Sequence, residues 1–115
     1  MKIYEKLKQL WKSNKREIRS SDLDYEEVKI KIKEEPSTIL IDVRSPQEYK
    51  EGHLEGSLNI PLYNIETQEE SVLPDKTQSI IVYCQSGNRS KKAMEILKKD
   101  GYQRVCHMKG GLDEI

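Results

Sequence analysis

Apolar residues in this chain fall into short runs separated by charged stretches of helical period. Two runs are continuous and rich in β-branched side chains: TILIDV at 38–43 and SIIVY at 79–83. Such runs fit strands buried on both faces of a parallel sheet better than half-exposed strands. SLNIP at 57–61, stopped by Pro61, and QRVCHM at 103–108 complete the strand candidates. Between them the period lengthens. DLDYEEVKIKIKEE at 22–35 reads as a helix closed before Pro36. Ser45 is placed as an N-cap, Pro46 as the first helical residue and Glu48 as the partner in a capping box. Gly52 is placed to end that short helix. Residues 62–78 predict one helix and a loop around Pro74. Residues 89–100 predict a helix with Ala93, Met94, Ile96 and Leu97 inward, capped by Gly101. Gly110-Gly111 predicts a tight turn. Strands alternating with helices give an α/β three-layer sandwich with a mostly parallel sheet flanked by helices.

The first 19 residues stand apart from this pattern. Ile3, Leu7, Leu10, Trp11 and Ile18 fall near one face of a helix over 2–18, with lysines elsewhere. Residues 1–20 hold seven basic and two acidic side chains, a charge of +5, and the remaining 95 carry −5. We therefore expect a basic amphipathic arm, 1–19, followed by one domain, 20–115. The arm's stripe, anchored by Trp11, packs on the domain or on a twin chain. Contact with a membrane surface or an acidic partner is the second reading.

Length and composition narrow the function. The chain has 115 residues, with 35% charged and 35% hydrophobic, which suits one soluble globular domain. No apolar run approaches the ~20 residues of a membrane span. Charges interrupt every potential apolar core in MKIYEKLKQLWKSNKREIRS, so no export signal is recognised and a cytoplasmic location is expected. A net charge of zero argues against a dedicated nucleic-acid binder. Cys84 and Cys106 are too few for a disulfide scaffold or an all-cysteine zinc site, and His53 and His107 form no ligand cluster with them by spacing.

Chemistry converges on VYCQSGNRSKKA, 82–93. Ligands of open α/β sheets bind beyond the carboxyl ends of the strands. One strand ends at Asp42-Val43-Arg44 and another at Tyr83-Cys84. The turn Gln85-Ser86-Gly87-Asn88-Arg89 then leads into a helix. Such a turn can aim successive backbone N–H groups into an anion-binding bowl, and the helix N-terminus adds partial positive charge. Arg89, Lys91 and Lys92 add formal charge. A cysteine in that field ionises more readily than a free thiol, and the thiolate is the nucleophile. The plainer alternative is a half-buried structural cysteine.

Together, LIDVRSPQEYKEGHLEGSLNIP (40–61), IVYCQSGNRSKKAMEILKKDGYQRV (81–105) and MKGGL (108–112) resemble the rhodanese-like sulfurtransferase domain in order and spacing. The resemblance covers about Ser20 to the end. It implies a five-stranded, mostly parallel sheet. It implies that Cys84 carries a persulfide and passes sulfane sulfur from thiosulfate or a persulfide to a thiol or cyanide acceptor. A protein sulfur carrier is a further partner it allows. The amides of Gln85, Ser86, Gly87, Asn88 and Arg89, with the Arg89 side chain, hold the anionic donor; Asp42, Arg44 and Glu48 support the site. No metal or organic cofactor is implied. Gln85 stands where many members carry a basic residue, so thiosulfate use is expected to be slow. Ile115 stands where the family usually has tryptophan.

Other residues carry plainer expectations. His53 bonds locally, Cys106 is inert unless its sulfur reaches Cys84, and Asp42 and Arg44 form a structural ion pair. Two rival functions remain: a non-enzymatic module for sulfur delivery or partner binding, and a cysteine-dependent phosphatase or arsenate reductase. The six-residue span from Cys84 to Arg89 is one residue shorter than the phosphatase loop that the family comparison implies.

Overall fold

The computed structural model describes residues 21–115; the expected arm lies outside the described residues. Five strands form one sheet: β1 (Asp22–Leu23), β2 (Ile39–Asp42), β3 (Leu58–Asn59), β4 (Ile80–Tyr83) and β5 (Val105–Met108). Their order is β1-β5-β4-β2-β3, and all four pairings are parallel. Four helices complete the described residues: α1 (Tyr25–Glu34), α2 (Pro46–Glu51), α3 (Ile65–Val72) and α4 (Asn88–Lys99). Short 3-10 turns occupy Leu62–Asn64 and Gly111–Glu114.

Side-chain alternation along the central strands builds two cores. Ile41, Ile80, Val82 and Val105 face one layer with Ile65 and Leu73 near α3 and Ala93, Met94 and Leu97 of α4. Leu40, Ile81, Tyr83 and Met108 face the other with Leu23 of β1 and Val28 of α1. Continuous apolar runs are therefore required in β2 and β4, because both faces are covered. Ile96, expected inward, is only partly buried at the edge of the first core.

The start of the domain differs from the sequence reading. The sequence pattern puts Asp22 and Leu23 in the first helix, yet they pair with His107 and Met108 of β5. The helix begins after Asp24, whose side chain accepts from the Glu27 amide while Glu27 accepts from the Asp24 amide. That capping box fixes the boundary. The strand expected over 57–61 shrinks to Leu58–Asn59 at the sheet edge. The capping box at Ser45 and Glu48 and the end of α2 at Gly52 form as expected.

Glu69 of α3 is buried, and its Oε2 has no hydrogen-bond partner among the described residues. Burial, then the facing Asp100 carboxyl, pushes its pKa up to about 7. The folded protein consequently holds a proton there that the unfolded chain releases near pH 4.5. Stability is expected to fall as pH rises between those values. Glu69→Gln removes that slope and raises stability at pH 8 by about 3 kcal/mol, with little change at low pH. Urea unfolding of both proteins across this range checks the prediction.

Candidate active site

Asp42 and Tyr83 are register partners at the carboxyl ends of β2 and β4, so the two reactive segments leave the sheet side by side. Residues 84–87 link β4 to α4. Gly87 adopts φ +101° at the helix N-cap, a conformation glycine takes without a Cβ penalty. This bend turns its N–H back onto Cys84 Sγ at 3.1 Å. The Ser90 N–H lies 3.4 Å from the same sulfur, and Ser90 Oγ lies 3.6 Å from it. Two amides at a helix N-terminus thus converge on one sulfur.

The C-terminal turn locks this loop. Leu112 N–H donates to the Cys84 carbonyl at 3.1 Å and Asp113 N–H to that of Gln85 at 2.9 Å. Gly111 makes the approach possible: a Cβ there would lie 2.5 Å from both carbonyl oxygens, and its φ is +59°. Gly111→Ala is expected to cost about 2 kcal/mol from the strained backbone and the clash. Thermal unfolding should show it.

Two ion pairs, Asp42–Arg44 and Glu48–Arg89, frame the loop. Arg44 Nη2 donates to Asp42 Oδ2 at 2.8 Å and to the Gly52 carbonyl at 2.6 Å. Its Nη1 reaches Gln85 Oε1 at 3.4 Å, and Gln85 Nε2 donates onward to Asp113 Oδ1 at 2.7 Å. Gln85 is therefore held from both ends. Glu48 receives both terminal nitrogens of Arg89, at 2.7 and 2.9 Å. The Arg89 guanidinium, with Ser45 assisting, holds the Glu48 carboxyl down at about 2. The cation expected to face an anionic donor is thus already paired in this state.

Cys84 itself is 0% exposed. The amides of Gly87 and Ser90 close on the sulfur, its side chain packs into the first core, and the C-terminal 3-10 turn closes on the Cys84 carbonyl. The remaining sequence candidates sit as follows. Cys106 packs in the opposite core from Cys84, so the sheet separates the two thiols. Burial pushes the Cys106 thiol up. His53 stacks on Tyr49 and its Nδ1 lies 2.7 Å from the Tyr49 carbonyl, the local role expected. The described residues contain no group of three His, Cys, Asp or Glu able to hold a metal ion.

Sequence reasoning missed Ser90, His107 and Gly111 as site residues. Ser90 follows Arg89 directly. His107 has the strand parity of Val105, which shares the Cys84 core, and that parity was the signal available.

A family model for the rhodanese-like domain matches residues 24–115. The chain belongs to the rhodanese-like family. Thiosulfate sulfurtransferase PspE of Escherichia coli is 41% identical over 75 residues, covering 65% of this chain and 71% of the relative. A tRNA uridine(34) hydroxylase of Cronobacter sakazakii is 34% identical over 70% of this chain, which spans 24% of that protein. A solved rhodanese with anions from Escherichia coli aligns at a TM-score of 0.62 and 40% identity. It covers 68% of this chain and 91% of its own. The rhodanese-like fold, with its five-stranded parallel sheet between helices, is thus shared with solved members. No helix among the described residues is long and apolar enough to cross a membrane.

Proposed function

We propose that this protein is a sulfurtransferase working through a persulfide on Cys84. The observation that carries the reading is the pair of amides, Gly87 and Ser90, directed at Cys84 Sγ. The thiolate attacks the outer sulfur of thiosulfate or of another persulfide. The S–S bond of the donor breaks, and sulfite or a thiolate leaves with the electron pair. An acceptor thiolate or cyanide then attacks the outer sulfur on Cys84 and regenerates the Cys84 thiolate. The bowl of amides from Gln85 to Arg89 stabilises the anionic outer sulfur. Arg89 binds the donor's charge once it exchanges Glu48 for it, and Asp42, Arg44 and Glu48 hold the loop in place. Because Cys84 is buried, donor entry requires the loop or the C-terminal turn to move. The cytoplasmic setting expected from the sequence belongs to the same proposal, and cell fractionation reports it.

Intact-mass and peptide analysis after incubation with thiosulfate tests the reading. One added sulfur on Cys84, removed by cyanide with thiocyanate released, is the expected result. Hydrolysis of a small aryl phosphate through Cys84 with no persulfide under any donor would replace it with the phosphatase reading.

A further inference from the structure

Four side chains line up behind the active loop. Cys84 Sγ lies 3.6 Å from Ser90 Oγ. Ser90 Oγ lies 3.0 Å from Nδ1 of His107, and His107 Nε2 lies 2.9 Å from Asp22 Oδ1. Cys84 and Ser90 are 0% exposed and His107 is 4% exposed. The Asp22 side chain is 54% exposed. A continuous hydrogen-bonded path therefore runs from the buried sulfur to solvent. It is assembled from the end of β4, the first turn of α4, β5 and β1, and the β1–β5 register sets Asp22 beside His107.

Counting hydrogens orients the path. The Nε2–H of neutral His107 donates to the Asp22 carboxylate, which leaves Nδ1 as an acceptor for the Ser90 hydroxyl. The Ser90 oxygen is then free to accept the Cys84 S–H. The Gly87 carbonyl, 3.1 Å away, is the competing acceptor for the Ser90 hydrogen. Burial pushes His107 below its ordinary value, Lys91 and Lys98 of α4 act in the same direction, and Asp22 opposes them. On the β4 side its register partner is the uncharged Val82. The resting ring is therefore neutral and able to take a proton.

We infer that Ser90, His107 and Asp22 form a proton relay that accepts the Cys84 thiol proton when the sulfur acts as a nucleophile. This rests on the proposed role of Cys84. The S–H bond breaks, and its proton passes to Ser90 Oγ. The hydroxyl proton of Ser90 passes to His107 Nδ1, and the electron pair stays on sulfur. Every donor is still paired in the product state. Nδ1–H faces Ser90 Oγ, Ser90 O–H faces the thiolate, and Nε2–H faces Asp22. The carboxylate stabilises the new imidazolium, and no oxidant or reductant is needed. When the acceptor has taken the outer sulfur, the reverse path restores the thiol. Ser90 touches the reacting atom, whereas His107 and Asp22 are positioning residues that act through it.

The test is a pH titration of the Cys84 thiolate by its ultraviolet absorbance. It uses the full chain carrying Cys106→Ser, with the matching Cys84→Ala protein subtracted. Ser90→Ala and His107→Gln are each expected to raise the titration midpoint by about one unit, a tenfold change in the ionisation constant. Asp22→Asn, at a half-exposed side chain, is expected to raise it by less. Circular dichroism establishes which variants are folded. An unchanged or lowered midpoint in folded Ser90→Ala and His107→Gln overturns the relay. If those two do not fold, an unshifted Asp22→Asn midpoint overturns it. The titration reads ionisation and not sulfur transfer, so the relay and the sulfurtransferase reading can each fail while the other stands.

Discussion

Cys84→Ala is expected to lower sulfur transfer by roughly a thousandfold or more, on the order seen when a covalent nucleophile is removed. The fold should survive. The lost sulfur sits at the edge of one core beside a polar loop, and truncating a small side chain there leaves only a small void. The amides of Gly87 and Ser90 lose their acceptor, but they lie at a helix N-terminus, where water can reach them once the loop relaxes. Far-ultraviolet circular dichroism, thermal unfolding and a thiosulfate-to-cyanide assay on the same preparation separate the two effects. Cys106→Ser, across the sheet, should retain most of the activity. A Cys84→Ala protein that still accepts sulfur on Cys106 and passes it on would remove Cys84 from the centre of the mechanism.

The second large effect is expected at Arg44. Asp42 is 0% exposed and Arg44 is 5% exposed. The guanidinium meets the carboxylate through Nε and Nη2 at 2.8–3.1 Å. Removing one partner leaves the other charge buried without compensation, a loss of about 3–5 kcal/mol. Arg44→Met is therefore expected to destabilise the domain by that amount in urea unfolding. The Asp42→Asn/Arg44→Met double variant should recover part of it. No buried charge then remains, and the carboxamide oxygen at position 42 can still accept from the backbone N–H of residue 44, as Asp42 Oδ1 does. A double variant no better than Arg44→Met would mean that the ties to Gly52 and Gln85 carry the stability instead. Sulfur transfer should fall in Arg44→Met even where the protein is folded, since Gln85 is then held only by Asp113.

Arg44 also shows where local reading stops. The DVRS sequence suggests an ion pair within one segment, and that pair forms. Nothing in the segment announces that the same guanidinium reaches Gln85, 41 positions later. Glu48 is a similar case. Its capping role follows from its spacing to Ser45, a contact three residues long. Its bidentate grip on Arg89 spans 41 positions and depends on the first turns of α2 and α4 lying at the same end of the sheet, beyond β2 and β4.

The sequence by itself determined the elements whose signals are local. The β-branched runs of β2 and β4, the capping box of α2, the amphipathic face of α4 and the cysteine–glycine–arginine turn all depend on neighbours within a few residues. Side-chain period and capping act over that range. Only the tertiary structure decided the rest. β1 has two residues, too few for any period, and exists because β5 offers it a parallel edge. The loop after Cys84 is held in place because a turn from the far end of the chain donates to the Cys84 and Gln85 carbonyls. The path from Cys84 through Ser90 and His107 to Asp22 joins three strands and one helix. Its contacts arise from sheet register and helix packing, which bring together residues that no local pattern connects.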